Sequence, residues 1–198
     1  MATDYSKLTA NLCSFYDFTD KVVLFVGAAG RQLLDPTART RKLICIDKDA
    51  AAIRQLQSDI DTKGLQNSMQ AIAADFADVN LSCGTLYFEF CLHEMDDPER
   101  ALHHAKTLAP DIVVYDHSPR SEWIYYGAEE DKVARSAAVM QRFGICRHQA
   151  FHAEQKFATF ADLLAKVSPQ GSLAIERVQC FTESTNIVIP MDYELNLL

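Results

Sequence analysis

The sequence predicts a three-layer α/β fold. Its sheet has about seven strands, mostly parallel, closed by an antiparallel hairpin and followed after strand five by a helical insertion. Three observations predict it. Short apolar runs rich in β-branched and aromatic residues, of the kind buried on both sheet faces, recur between residues 22 and 116. Segments with helical spacing separate them, and strands alternating with helices demand parallel pairing with right-handed crossovers. Gly27 closes the first run and Asp47 closes the second, twenty residues on, which is the layout of a strand–turn–strand unit that holds a nucleotide.

Residues 1–20 read as an N-terminal helical segment, with Leu8, Leu12, Phe15 and Tyr16 on one side of a helix over 5–18. The first strand is 22–26. It breaks at Gly27-Ala28-Ala29-Gly30, where small residues let a ligand come close to the backbone. Pro36 keeps the next helix short, over 30–40. The second strand, 43–47, leads into a helix carrying Ile53, Leu56 and Ile60 that stops at Gly64. The third strand is 69–73, ending near Asp75, and the fourth is 85–92. Asp96 or Asp97 caps a helix to Leu108 with Pro98 in its first turn, and Pro110 ends it. The fifth strand is 112–116.

Residues 119–156 are polar and helical in pattern without a strand, so they read as a helical cap over the sheet. A short amphipathic helix over 157–167 follows. Segments 172–181 and 186–190 then pair as the closing hairpin. The whole of 1–198 reads as one domain, long enough to bury a real core.

Composition narrows the function classes. Hydrophobic residues make up 48% and charged residues 23%, as in an ordinary globular chain. A net charge of −8 argues against nucleic acid as a partner, because phosphate binding needs basic surface. No apolar signal region opens the chain and no stretch is long enough to span a membrane. Six scattered cysteines, with Cys45 and Cys91 inside apolar runs, read as small hydrophobes rather than a disulfide framework. The expected location is cytoplasmic.

The order and spacing of these motifs resemble the class I S-adenosylmethionine-dependent methyltransferases over about residues 20–190. Phe25-Val26-Gly27-Ala28-Ala29-Gly30-Arg31 stands where that family has an acid-x-Gly-x-Gly-x-Gly turn. Gly27 matches, Ala29 stands for the second glycine, Arg31 replaces the third and Phe25 replaces the acid. Asp47 matches the ribose-binding acid after strand two. Asp75 matches the adenine-flanking acid after strand three, with Phe76 beside it as a ring contact. Phe90-Cys91-Leu92-His93-Glu94-Met95-Asp96-Asp97 resembles the fourth motif, and Leu108-Ala109-Pro110 the family's Leu-x-Pro helix ending. The resemblance implies a Rossmann-like sheet and S-adenosyl-L-methionine as cofactor. Gly27 and Ala29 would admit its methionine part, Asp47 would hold the ribose, and Asp75 and Phe76 would frame adenine.

Each position also has a plainer reading. Asp47 could cap the next helix, although Asp49 is better placed to do so, and Asp75 could cap the segment after it. His93 with Glu94, and His117 after strand five, lie where such sheets keep their ligand crevice. Either histidine could take a proton from an acceptor, a step that a thiolate or free amine does not need. Trp123, Tyr125 and Tyr126 could wall a substrate pocket or dock the insertion on the sheet. Arg120 and Arg147 could meet an anionic substrate. Cys146, His148 and His152 have a spacing that could bind metal on a helix, but no fourth ligand is evident and no metal is assigned.

The leading expectation is therefore a methyltransferase for a small-molecule acceptor, with neither nucleic acid nor membrane as partner. One alternative is a non-catalytic protein of the same fold that binds the cofactor or a partner. Another is a nicotinamide-dependent oxidoreductase, but Gly27-Ala28-Ala29-Gly30-Arg31-Gln32 lacks two of the three glycines that reading requires.

Overall fold

A computed structural model describes residues 5–28 and 39–198. Its sheet has seven strands: β1 (Val22–Val26), β2 (Lys42–Asp47), β3 (Met69–Ala73), β4 (Thr85–Glu89), β5 (Asp111–His117), β6 (Arg147–Thr159) and β7 (Thr185–Leu197). They lie in the order β3-β2-β1-β4-β5-β7-β6. The first five are parallel, and β7 runs antiparallel to both β5 and β6. Strand order reverses between β1 and β4, which opens a crevice at their C-terminal ends.

Alternation along each strand divides the core into two layers. Val23 and Phe25, with Tyr87, Val113 and Tyr115, face helices α1 (Tyr5–Phe15), α2 (Ala50–Thr62), α4 (Glu122–Gly127), α6 (Phe160–Val167) and α7 (Ser172–Arg177). Leu24 and Val26, with Leu86, Phe88, Ile112 and Val114, face α3 (Pro98–Leu108) and α5 (Glu130–Phe143). The helices follow from sequence in simple ways. Asp49 caps α2 by accepting from the Ala51 and Ala52 amides, and Asp97 caps α3 by accepting from Arg100. No helix among the described residues is long and apolar enough to cross a membrane.

Three differences from the sequence reading stand out. The insertion after β5 is helical only through α4 and α5, and residues 147–156 belong to β6 instead of a helical cap. As the outer strand of the sheet, β6 buries Ala153, Gln155 and Phe157 and exposes His152, Glu154 and Lys156 between them. That charged outer face suits an edge, where it discourages pairing with other chains, and it masks the period of two. Segment 172–181 is α7 and a 3-10 turn, with Ala174 and Val178 buried four residues apart, so the closing hairpin is β6 with β7. The fourth strand stops at Glu89 rather than 92, because Phe90 adopts φ +46° and turns the chain. The helix expected over 30–40, like Ala29, lies essentially outside the described residues.

Candidate functional site

A cavity of about 400 Å³ opens at the C-terminal ends of β1 to β4. Its walls include Gly27, Asp47, Asp75 and Phe76, four residues that the sequence reading placed around one ligand. They meet because each follows a parallel strand whose neighbours are fixed by the sheet register. Gly27 sits at φ +80°, with its amide donating to the Ile46 carbonyl at 3.1 Å. A Cβ there would lie 2.8 Å from both the Cys91 sulfur and the Glu89 carbonyl oxygen. The chain itself therefore demands glycine, apart from any ligand.

Asp47 is half-buried at the end of β2, and its Oδ1 accepts from the Asp49 amide at 2.9 Å. Asp49 is the cap of α2, so Asp47 is positioned by the turn without being the helix cap. Asp75 is exposed on the rim and accepts from the Ala77 amide at 2.9 Å, capping the 3-10 turn Phe76–Asp78. Phe76 is buried, its ring edge-on to Phe88 at 5.3 Å and 5.0 Å from His104. Opposite them α3 contributes Arg100 and His104, four residues apart on one face, which the sequence reading missed. Cys91, Glu94, Asp96 and Asp97 complete the strand-four side.

His93 and His117 lie behind this wall and do not line the cavity. His93 is 2% exposed, its amide donating to Asp116 Oδ2 at 3.2 Å and its Nδ1 lying 2.5 Å from Asp116 Oδ1. Its Nε2 faces Glu94 Oε1 at 3.5 Å. Burial opposes charge on this imidazole, but the Asp116 carboxylate outweighs it and raises the pKa to about 10. The His93 hydrogen bond, with help from Lys132 at 2.7 Å, in turn holds Glu94 down to about 2 despite partial burial. Burial, with the nearby charges of His93 and Lys166, drives His117 the other way, to about 3, with Nδ1 unpaired among the described residues and the ring 4.7 Å from Phe90. Neither imidazole titrates near neutrality in this setting, which was the basis for reading them as bases. Glu129, just before α5, is 5% exposed, and burial raises it to about 7. His93, Glu94 and Glu129 bring one potential ligand atom each within 4.8 Å of one another.

The insertion reaches the cavity through α5 and not through its aromatics. Lys132 pairs with Glu94, and Arg135 donates to the Met95 carbonyl at 2.9 Å. Trp123 is instead buried under the sheet, stacked on Phe157 at 5.9 Å, and Tyr126 packs 5.2 Å from Phe181. Neither lines the cavity: α4 is the segment that docks the insertion. Trp123→Ala should therefore cost about 3–5 kcal/mol of stability in denaturant unfolding. Ligand affinity of the folded fraction should stay unchanged, and a selective loss of affinity would return Trp123 to the binding site.

Other candidates take structural places. Arg147 donates to the Phe15 carbonyl and lies over the Phe15 ring, whereas Arg120 is exposed. His148 and His152 stand on β6, about 13 Å apart along the strand. They pair separately with Glu194 at 3.2 Å and Asp192 at 2.7 Å, so they cannot share an ion.

No protein-family model matches the chain, and no curated protein sequence matches it. Solved structures do. The YcgJ protein of Bacillus subtilis superposes with a TM-score of 0.69 at 13% identity, covering 97% of each chain. An S-adenosylmethionine-dependent methyltransferase of Aquifex aeolicus gives 0.60 at 15% identity, covering 98% of this chain and 89% of its own. Magnesium protoporphyrin IX methyltransferase of Synechocystis gives 0.57 at 13% identity, over 97% and 77%. The chain has the fold of the class I methyltransferases.

Proposed function

We propose that the chain is an S-adenosyl-L-methionine-dependent methyltransferase that acts on a small-molecule acceptor by direct methyl transfer. The observation that carries this reading is the convergence of Gly27, Asp47, Asp75 and Phe76 on one cavity at the reversal of strand order. In this reading Asp47 accepts from the ribose hydroxyls, and Asp75 and Phe76 border adenine. Gly27 and Ala29 leave room for the methionine part, with Ala29 beyond the described residues. The cavity is of a size that takes one small ligand.

Charge favours this ligand over a dinucleotide. Asp47, Asp75, Glu94, Asp96 and Asp97 line the cavity against two basic side chains, Lys48 and Arg100. Five carboxylates against two cations suit a ligand with positive charge and repel a pyrophosphate. When bound, the sulfonium cofactor supplies a methyl group on a positively charged sulfur. The protein's work is then to hold donor and acceptor in line and to exclude water. The loop 90–97, braced by Lys132 and Arg135 of α5, forms the wall from which an acceptor would approach. With His93 tied to Asp116 and His117 neutral, the acceptor best suited is one that needs no strong base, such as a thiolate or free amine. The six free cysteines support a reducing, cytoplasmic setting.

Calorimetry with S-adenosylmethionine, S-adenosylhomocysteine and NAD tests the reading. The first two are expected to bind with one-to-one stoichiometry and NAD is not. Binding of NAD alone would replace the proposal with an oxidoreductase.

A further inference from the structure

We propose a binding site for a first-row divalent cation formed by His93, Glu94 and Glu129, behind the cavity wall and at the start of α5. The ligand atoms of the three side chains already lie within 4.8 Å of one another. Movements of about 1 Å would bring them to the ~2.0–2.2 Å bond lengths such an ion takes with nitrogen and oxygen.

Two features make this more than a chance cluster. The first is Glu129, which is 5% exposed and whose Oε2 is fully buried with no hydrogen-bond partner among the described residues. A buried carboxylate oxygen without a partner is costly, and a cation offers it one. Gly127 makes room for it: a Cβ there would stand 3.1 Å from Glu129 Oε2.

The second is the way His93 is held. Its Nδ1 meets Asp116 Oδ1 at 2.5 Å, which leaves Nε2 directed at Glu94 Oε1, 3.5 Å away. A carboxylate behind one ring nitrogen, with the other nitrogen aimed at a second carboxylate, is the usual arrangement of a histidine that exchanges its proton for a metal ion. Lys132 occupies Glu94 Oε2 at 2.7 Å and so turns Oε1 toward the same point. A bound ion displaces the proton that the Asp116 carboxylate otherwise keeps on His93, and Asp116, Glu94 and Glu129 then carry three negative charges against the one positive charge of Lys132. A divalent ion balances the remaining two.

One imidazole and two carboxylates suit Zn²⁺ or Mn²⁺ better than Ca²⁺ or Mg²⁺, which prefer all-oxygen sites. Three protein ligands leave a coordination position open. Glu94 also lines the cavity, so that position can be met from there by an oxygen or nitrogen of a bound molecule. The site stands apart from the methyl-donor reading, and its test needs no cofactor.

The test is titration of Zn²⁺ alone, and separately Mn²⁺, into the chelator-stripped full chain, read by calorimetry and by the shift in thermal midpoint. The expected result is one high-affinity equivalent that raises the midpoint. Glu129→Gln and Glu94→Gln, close in shape to the originals, should each weaken binding by about 100-fold or more. Asp116→Asn should weaken it by about 10–100-fold through loss of the carboxylate behind His93. His148→Ala, His152→Ala and Cys146→Ser should bind as the parent does. Failure of the parent to bind either ion overturns the proposal. So does parental affinity in folded Glu129→Gln and Glu94→Gln, or loss confined to the His148, His152 or Cys146 variants. If S-adenosylhomocysteine binds while Zn²⁺ and Mn²⁺ do not, the metal site alone is refuted.

Discussion

Gly27→Val is expected to lower stability by about 2–5 kcal/mol and to abolish S-adenosylhomocysteine binding. Two separate penalties combine at this position. A β-branched residue is forced into the left-handed region at φ +80°, and its Cβ must enter space 2.8 Å from the Cys91 sulfur and the Glu89 carbonyl oxygen. The crowding comes from the end of β4 and the turn after it, so the strain falls where β1 and β4 shape the cavity. Shrinking Cys91 in a Gly27→Val/Cys91→Gly pair should not rescue the fold, because the Glu89 carbonyl remains. Urea unfolding measures the first effect and calorimetry the second. A Gly27→Val protein with parental stability would contradict the turn geometry. One that folds and still binds would place the ligand elsewhere.

Asp47→Asn is expected to weaken S-adenosylmethionine binding by about 1–3 kcal/mol, or roughly 5- to 150-fold, the worth of charge-assisted hydrogen bonds to ribose hydroxyls. Asparagine is the better probe than alanine. Its side-chain oxygen can still accept from the Asp49 amide, as Asp47 Oδ1 does at 2.9 Å, so the turn before α2 keeps its shape. The loss then reports on the charge rather than on a collapsed loop. Affinity equal to the parent's would remove Asp47 from the ribose role while leaving the fold intact.

The parts of this molecule that were legible in sequence are those written locally. Strands β1, β2, β4 and β5 are buried on both faces or nearly so, and such strands appear as apolar runs whatever surrounds them. Gly27, Asp47 and Asp75 were legible for the same reason: each stands just past a strand, and the parallel sheet does the rest. Strand β6 was hidden by its place at the edge. His148, Gln149, His152, Glu154, Gln155 and Lys156 give it the composition of a helix surface, and only the pairing with β7 makes it a strand. Segment 172–181 erred the other way. Leu173, Ile175 and Val178 look like strand residues, yet it is Ala174 and Val178, one helical turn apart, that are buried.

Side-chain environments were the least legible. Nothing near His93 in sequence announces Asp116, twenty-three residues on, or Glu129 beyond it. Those partners arrive through the β4–β5 pairing and the fold-back of α5, and they decide the charge that His93 carries. Trp123 was read with a choice between pocket and docking, and its stack on Phe157 belongs to docking. The partner, Phe157, comes from a strand the sequence did not reveal.

The central claim is that the cavity beside Gly27 and Asp47 holds the methyl donor. A crystal structure of the chain with S-adenosylhomocysteine tests it most directly. The ribose hydroxyls are expected within hydrogen-bonding distance of Asp47, adenine beside Asp75 and Phe76, and the sulfur facing the loop 90–97. Density for the ligand at any other place, or its absence at saturating concentration with this cavity open, would contradict it.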